Sequence, residues 1–401
     1  MTETNLISKR ICCVCGGSQK SNLFRQQFTR LSDGGLMDGY DVVMCNNCGF
    51  VFADNIPDQK DFDEYYRNMS KYEHQDRLGR PTEFESRQFQ ELAQVIRSHI
   101  ENQDARILEI GCANGGLLNA IREMGYQNVL GIDPSPACAR NAELLYHIPV
   151  STCALSNLRT DIGQFDFIIL VAVLEHIRDL DSALTKLSSM LSPTSKLYVE
   201  VPDASNFASS PDAPFQEFSM EHINFFTSQS LTNLMGVHGF SRLFSTQKLY
   251  NQTDTHAGYT IRMVFQKTDQ DREFRYINDT QVRPAIEKYV AVSRKVETRI
   301  HNIINDVVDS HKPLIIWGVG THTQRLLATS RLSKANIVSY VDSNPNYQGK
   351  ELNGIQIINP TNLDEKPETI LVSSRTFQNE IIHRIRSELK LRNEIVALYE
   401  D

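Results

Sequence analysis

The sequence predicts an α/β fold: two parallel sheets covered by helices, preceded by a small module that cysteines organise. Three observations carry this reading. From Arg106 onward, apolar strand-like runs alternate with helical stretches, the pattern of βαβ units and a parallel sheet. A second series of the same kind begins at Pro313. Five of the eight cysteines (Cys12, Cys13, Cys15, Cys45 and Cys48) fall within the first fifty residues.

The first unit is expected over residues 1–75. Its glycine-rich turns (Gly16-Gly17 and Gly34-Gly35) and weak periodicity suit a small module held by something other than an apolar core. An aromatic, polar stretch follows, DFDEYYRNMSKYEH, and then a helical pattern through FESRQFQELAQVIRSHI. The second unit, residues 76–270, runs RILEIG, a helix over GLLNAIREMG, VLGID, a helix near PACARNAELLYH, FDFIILV, a helix over DLDSALTKLSSML, and KLYVEVP. After Ser205 the alternation lapses into QEFSMEHINFFT, a connection long enough to cover a site. A helix near SLTNLMGVHGF and two strand-like runs, SRLFSTQKLY and YTIRMVFQK, close this unit. The third, residues 271–401, opens with a charged, glycine-free helical linker and continues through PLIIWGVG, NIVSYVD and TILVSS.

With 401 residues, 40% hydrophobic and 22% charged, the chain has the makings of two or three separate cores. A net charge of −8 leaves no broad basic surface for a phosphate backbone, so nucleic acid is not the expected partner. The N-terminus MTETNLISKR lacks the apolar core of a signal peptide, and no run reaches the roughly 18 apolar residues of a membrane span. A cytoplasmic protein without a membrane partner is the expectation.

Cys12-x-x-Cys15 and Cys45-x-x-Cys48 are separated by 29 residues, each pair followed directly by glycine. Two such knuckles supply four thiolates for a tetrahedral Zn2+, and four sulfurs leave no open position for water. The expected role of that zinc is structural. Cys13 is a possible substitute for Cys12, but the x-x spacing favours Cys12. In the core, ILEIGCANGG ends a strand and opens a helix. Glu109, Gly111, Ala113 and Gly115 therefore mark a loop whose backbone passes close to a ligand. Asp133, 22 residues after Gly111 and followed by Pro134, ends the next strand where it can accept hydrogen bonds from ribose hydroxyls.

The Glu109-x-Gly111 opening with Asp133 resembles class I S-adenosylmethionine-dependent methyltransferases more than nicotinamide enzymes. The resemblance implies a Rossmann-like core, with the loop holding the methionine part of S-adenosyl-L-methionine and the acid holding its ribose. A wider resemblance rests on CVCGG with CNNCGF, DEYYRNMSKYEH, VLEHIRDL, EHINFFT, IIWGVGTHTQRLLA and VDSNPNYQGKELNG. In that order they are similar to the sugar C-methyltransferases of deoxysugar biosynthesis, which methylate the carbon beside the ketone of a nucleotide-linked 4-keto sugar. The full architecture so implied is a small zinc module, a class I methyltransferase core and a second Rossmann-like domain at the C-terminus.

A carbon accepts an electrophilic methyl group only after a base removes its proton, and histidine suits that task near neutral pH. The resemblance places His222 as the base and Glu221 beside it as its support. It places Tyr65, Tyr66 and Tyr72 over the sugar, and His176 near the ketone or a sugar hydroxyl. Ala172 stands where the family commonly carries asparagine, four residues before His176. This departure keeps open an O-methyltransferase acting on a saccharide hydroxyl. In the third unit Gly318, Gly320, Thr321 and His322 follow a strand and open a helix, an arrangement able to bind phosphate, and Asp342 ends the next strand as a ribose acid would. The resemblance assigns this unit to the nucleotide of the substrate. A non-catalytic zinc-dependent nucleotide-binding protein and a nicotinamide-dependent oxidoreductase are the competing classes.

Overall fold

The computed structural model describes residues 9–69, 79–209, 213–251, 257–268, 274–363 and 368–399. The chain opens with an antiparallel meander of β1 (Lys20–Gln27), β2 (Gly39–Cys45) and β3 (Val51–Asp54). Helix α1 (Gln59–Asn68) starts at Asp58, which accepts from the amides of Lys60 and Asp61 while Asp61 reaches back, a reciprocal cap. Thr82 and Glu85 cap α2 (Glu83–Arg97) in the same way.

The central series comprises β4 (Ile107–Ile110), α3 (Gly116–Glu123), β5 (Val129–Asp133), α4 (Pro136–Tyr146), β6 (Val150–Thr152), β7 (Phe165–Val171), α5 (Leu180–Ser189) and β8 (Leu191–Pro202). It continues through β9 (Asn224–Phe225), α6 (Ser228–Val237), β10 (Phe240–Asn251) and β11 (Ala257–Lys267). All but β9 of these strands form one sheet ordered β10-β11-β8-β7-β4-β5-β6. Strands β4 to β8 run parallel, whereas β11 is antiparallel to both β8 and β10. This is the Rossmann-like class I methyltransferase arrangement, with a reversed last strand inserted beside the fifth. The order in which strands are added reverses between β4 and β7, so their C-terminal loops open a crevice there.

The third series is α7 (Val282–Asp309), β12 (Leu314–Trp317), α8 (Thr321–Thr329), β13 (Ile337–Val341), β14 (Glu351–Leu352), β15 (Ile355–Ile358), β16 (Thr369–Val372), α9 (Gln378–His383) and β17 (Ile395–Ala397). Its sheet, ordered β14-β15-β13-β12-β16-β17, is parallel except for β14. No helix among the described residues is long and apolar enough to cross a membrane.

Two features differ from the expectation. The N-terminal module has an apolar core, in which Phe24, Tyr40, Val42, Val51, Ile56 and Phe62 pack with Phe215, Phe218 and Phe225 from the long connection. Its weak periodicity arises because β3 is buried on both faces and therefore does not alternate. The charged linker is also a packing element: Ile286, Tyr289 and Val290 of α7 enter this core, while Ile300, Ile304 and Val308 enter that of the third series. Those positions recur at helical spacing beneath the charges.

Strand β9 joins the N-terminal sheet rather than the central one, pairing Val51 with Phe225 and Phe52 with Asn224. Buried Arg10 fixes that junction. Its Nη1 donates to the carbonyls of Ala53 and Ile223 (both 3.1 Å), and its Nη2 to the Arg178 carbonyl (3.1 Å) and Asn224 Oδ1 (2.8 Å). Asn224 in turn donates to the carbonyls of Leu174 (2.8 Å) and Ile177 (2.7 Å). Arg10→Met would strand these buried acceptors, and unfolding in denaturant should show a loss on the order of 3 kcal/mol. An unchanged midpoint and slope would mean that the junction is held by apolar contacts alone.

Candidate active site

The loop after β4 adopts a conformation that small residues permit. Gly111 has φ 74°, and a Cβ there would lie 2.8 Å from Val173 Cγ2, so glycine lets the loops after β4 and β7 meet. Ala113 is left-handed at φ 45°, as is Ala172 at φ 53°. Two strained non-glycine residues thus flank the crevice, each at a cost of about 1–2 kcal/mol. Gly115, at φ 77°, serves packing: its added Cβ would sit 3.1 Å from Ala142 Cβ. The Ala113 amide donates to Asp133 Oδ2 (2.9 Å) and the Ser135 amide to Oδ1 (2.9 Å), which clamps the carboxylate against the loop. Glu109 lies behind it, buried, and its Oε2 has no hydrogen-bond partner among the described residues. Burial, reinforced by the Asp133 charge, pushes its carboxyl up to about 8.

One cavity joins these residues to the candidate catalytic set. Gly111, Asp133 and Pro134 line it on one side, with Cys153, Ala154 and Leu155 after β6; Ala172, Val173, His176, Tyr66, Met69 and Glu221 line the other. Tyr66 Oη and His176 Nδ1 are 2.8 Å apart, and the same nitrogen is 3.0 Å from the Glu221 carbonyl oxygen. Tyr65 donates to Glu221 Oε1 (3.1 Å), and burial together with Glu221 holds its phenol well above the usual range, hence protonated. The His222 ring lies edge-on to that of His176, centroids 4.9 Å apart, and a Glu175 carboxylate oxygen belongs to the same cluster, all three polar groups within 4.8 Å. Tyr72 lies outside the described residues.

The Glu-His segment is positioned from the N-terminal sheet. Tyr40 Oη donates to the Ser219 carbonyl (2.8 Å) and Gln26 Nε2 to that of Phe218 (2.6 Å), while Ser219 Oγ accepts from the amides of Glu221 (3.2 Å) and His222 (3.1 Å). Sequence reasoning did not single out Arg10, Gln26, Tyr40 or Asn224. Asn224 had a signal, its place in the EHIN run; the others are ordinary residues until the sheet folds against this segment.

The cysteine cluster forms behind the same junction. Sγ atoms of Cys12, Cys15, Cys45 and Cys48 lie within 4.8 Å of one another, with Cys12–Cys48 and Cys15–Cys45 each at 3.4 Å, and Cys13 is outside the group. In the third series Val319 N donates to Asp342 Oδ2 (2.9 Å) and Asn344 N to Oδ1 (2.8 Å), the same clamp as at Asp133. Gly318 has φ 100°, and an added Cβ at Gly320 would meet open space. Thr321 begins α8, and His322 turns inward to bond Tyr399 Oη through Nε2 (2.7 Å). Burial beside Arg325 lowers the His322 ring to about 3, so it brings no positive charge to a phosphate near neutral pH.

The loop, clamped acid and strand order define an S-adenosylmethionine-dependent methyltransferase domain, and residues 83–243 match the family model described as a methyltransferase domain. Residues 310–396 match a second model, described as C2185-like, N-terminal. Among curated proteins the chain is similar to C-methyltransferase NovU of Streptomyces niveus, 25% identical over 273 residues, 63% of this chain and 61% of that protein. It is also similar to the ubiquinone biosynthesis O-methyltransferase of Rhodopseudomonas palustris (strain BisB5), 31% identical over 100 residues, 23% of this chain and 38% of that protein. The chain thus spans only part of the length of these relatives. Among solved structures, magnesium protoporphyrin IX methyltransferase (ChlM) from Synechocystis PCC 6803 with bound SAH aligns at TM-score 0.40 and 16% identity, over 53% of this chain and 100% of that one.

The raised Glu109 carboxyl has a consequence for stability. Between its ordinary value of 4.5 and about 8 the folded chain keeps a proton that the unfolded chain has released, so stability falls as pH rises through this interval. Glu109→Gln removes that slope. Unfolding free energies near pH 5.5 and pH 8 should converge in the variant relative to wild type by on the order of 1–3 kcal/mol. Parallel pH dependence would show that Glu109 ionises normally.

Proposed function

We propose that the chain is an S-adenosylmethionine-dependent C-methyltransferase acting on a nucleotide-linked 4-keto deoxysugar. The observation that carries this reading is the single cavity in which Gly111 and Asp133 face Tyr66, His176 and Glu221. Its lining suits a cationic methyl donor: among the described residues it includes Asp63, Asp133 and Glu221, and no lysine or arginine. S-adenosylmethionine supplies the electrophilic methyl group, with Glu109, Gly111, Ala113, Gly115, Asp133 and Pro134 as its binding loop. His222 removes the proton beside the ketone, Glu221 supports it, and the electrons move onto the ketone oxygen. The Tyr66 hydroxyl, 2.8 Å from His176 Nδ1, donates to that oxygen as charge builds on it. The substrate nucleotide occupies the loop of Gly318, Gly320 and Thr321 with Asp342, and His322 underpins it through Tyr399.

The four thiolates fit a structural Zn2+, since Zn–S bonds of about 2.3 Å require sulfurs under about 4 Å apart and two pairs already stand at 3.4 Å. The metal folds the knuckles whose first cysteine lies two residues beyond Arg10. An O-methyltransferase is the second reading, favoured by Ala172, which puts a methyl group on the cavity wall and no hydrogen-bonding side chain.

The deciding assay supplies S-adenosylmethionine and a 4-keto-6-deoxy nucleotide sugar in deuterated water, followed by NMR and mass spectrometry. A new carbon-bound methyl with deuterium entering unreacted sugar is expected; a methyl on oxygen would select the second reading. His222→Ala should abolish deuterium exchange while leaving cofactor affinity intact, and retained exchange would remove His222 from the role. Cys45→Ser should lose zinc by elemental analysis and unfold at lower denaturant. A stable, zinc-free variant would overturn the structural role of the metal.

A further inference from the structure

We infer that Lys350 binds the diphosphate of the nucleotide-linked substrate, at the rim where the turn after Asp342 meets the end of α1. This rests on the proposed substrate class. Such a substrate has two ends, a nucleoside for the Asp342 loop and a sugar for the Tyr66–His176 cavity, joined by a diphosphate carrying about two negative charges. The cavity itself repels that group, because its acidic and basic lining among the described residues is Asp63, Asp133 and Glu221. The diphosphate therefore stays outside, and a cation is needed where the two sites meet.

Lys350 stands there. Its Nζ lies 2.9 Å from Sδ of Met69, a cavity-lining residue at the C-terminal end of α1, and a Cβ added at Gly34 would lie 2.8 Å from the same nitrogen. It is half-buried, and among the described residues it forms no ion pair; a thioether is a weak acceptor for an ammonium group. The short turn from Asp342 carries it: Asn344 N bonds Asp342, Tyr347 N bonds the Asn344 carbonyl (3.0 Å) and Lys350 N the Tyr347 carbonyl (3.2 Å). Burial raises the phenol of Tyr347 in this turn, and the charges of Glu221 and Asp342 add to it. The neighbouring cleft that holds Lys60, Arg67 and Lys186 also holds Asp63, Glu64 and Asp179, and Lys186 is already engaged by the carbonyls of Leu155 and Ser156.

The test is calorimetric titration of the full chain, saturated with S-adenosylhomocysteine, with the five common nucleoside 5′-diphosphates and their nucleosides. Lys350→Ala should weaken nucleoside diphosphate binding by about tenfold or more, with a shallower salt dependence, while nucleoside and S-adenosylhomocysteine affinities stay at wild-type levels. Lys350→Arg should recover most of the loss, and Arg67→Ala should bind as wild type. Equal diphosphate affinity in wild type and Lys350→Ala, or a loss in Arg67→Ala instead, would overturn the assignment of Lys350 alone. A wild-type chain that binds S-adenosylhomocysteine but none of the diphosphates would overturn both the assignment and the substrate class beneath it.

Discussion

The geometry of the candidate active site depends on one buried junction, the pairing of β9 with β3 and its lacing by Arg10 and Asn224. The backbone leaves the central sheet after β8, crosses to the N-terminal sheet and returns, carrying Glu221 and His222 across the mouth of the crevice. An isolated excursion of this length would be loose, because ordering it costs backbone entropy at every residue. Here Gln26, Tyr40 and Arg10 take up the carbonyls of Phe218, Ser219 and Ile223, and Asn224 takes up those of Leu174 and Ile177. Groups on two separate sheets are thereby held at hydrogen-bond distance. The N-terminal module, which touches the glycine loop nowhere in this network, sets the position of the residues facing it.

The same local solution appears twice. After β5 and again after β13 an aspartate accepts one amide from the preceding glycine loop and one from two residues further on, at 2.9 and 2.9 Å in the first case and 2.9 and 2.8 Å in the second. The clamp orients a carboxylate at the C-terminal edge of a parallel sheet, where loops diverge and a ligand fits. The surroundings then separate the two. The first opens into a cavity shared with His176 and Tyr66, and the second belongs to the unit that holds a buried, neutral His322, with a lysine-bearing turn following it.

Charge is distributed to match. Carboxylates line the cavity, and Glu109 stands behind it in a setting that favours its protonated form. Low dielectric strengthens such an acidic field toward a cationic ligand and makes an anion expensive to admit. The left-handed Ala113 and Ala172 add strain at the two loops that meet across Gly111 and Val173, where the surrounding structure holds them in place.

Much of this was legible in the chain. The central strands and helices follow from runs such as ILEI and FDFIILV and from caps such as Thr82–Glu85, all interactions within a few residues. The same locality marks Gly111, Asp133 and the cysteine pairs. The role of α7 was obscured because charges on its outer face mask an apolar stripe, and strand β3 because burial on both faces removes alternation. Glu221 and His222 stood out as a motif, but nothing in their neighbourhood shows that β3 captures the following two residues. Arg10 carried no signal, since a buried arginine reads like an exposed one until its carbonyl partners, 43 to 213 residues away, are brought to it. Sequence alone determined the strand and helix alternation of the second and third units and marked the candidate residues of the site, because those depend on short-range pattern. Tertiary structure alone decided that Tyr66, His176, Glu221 and Asp133 share one cavity, because that depends on pairing between distant strands.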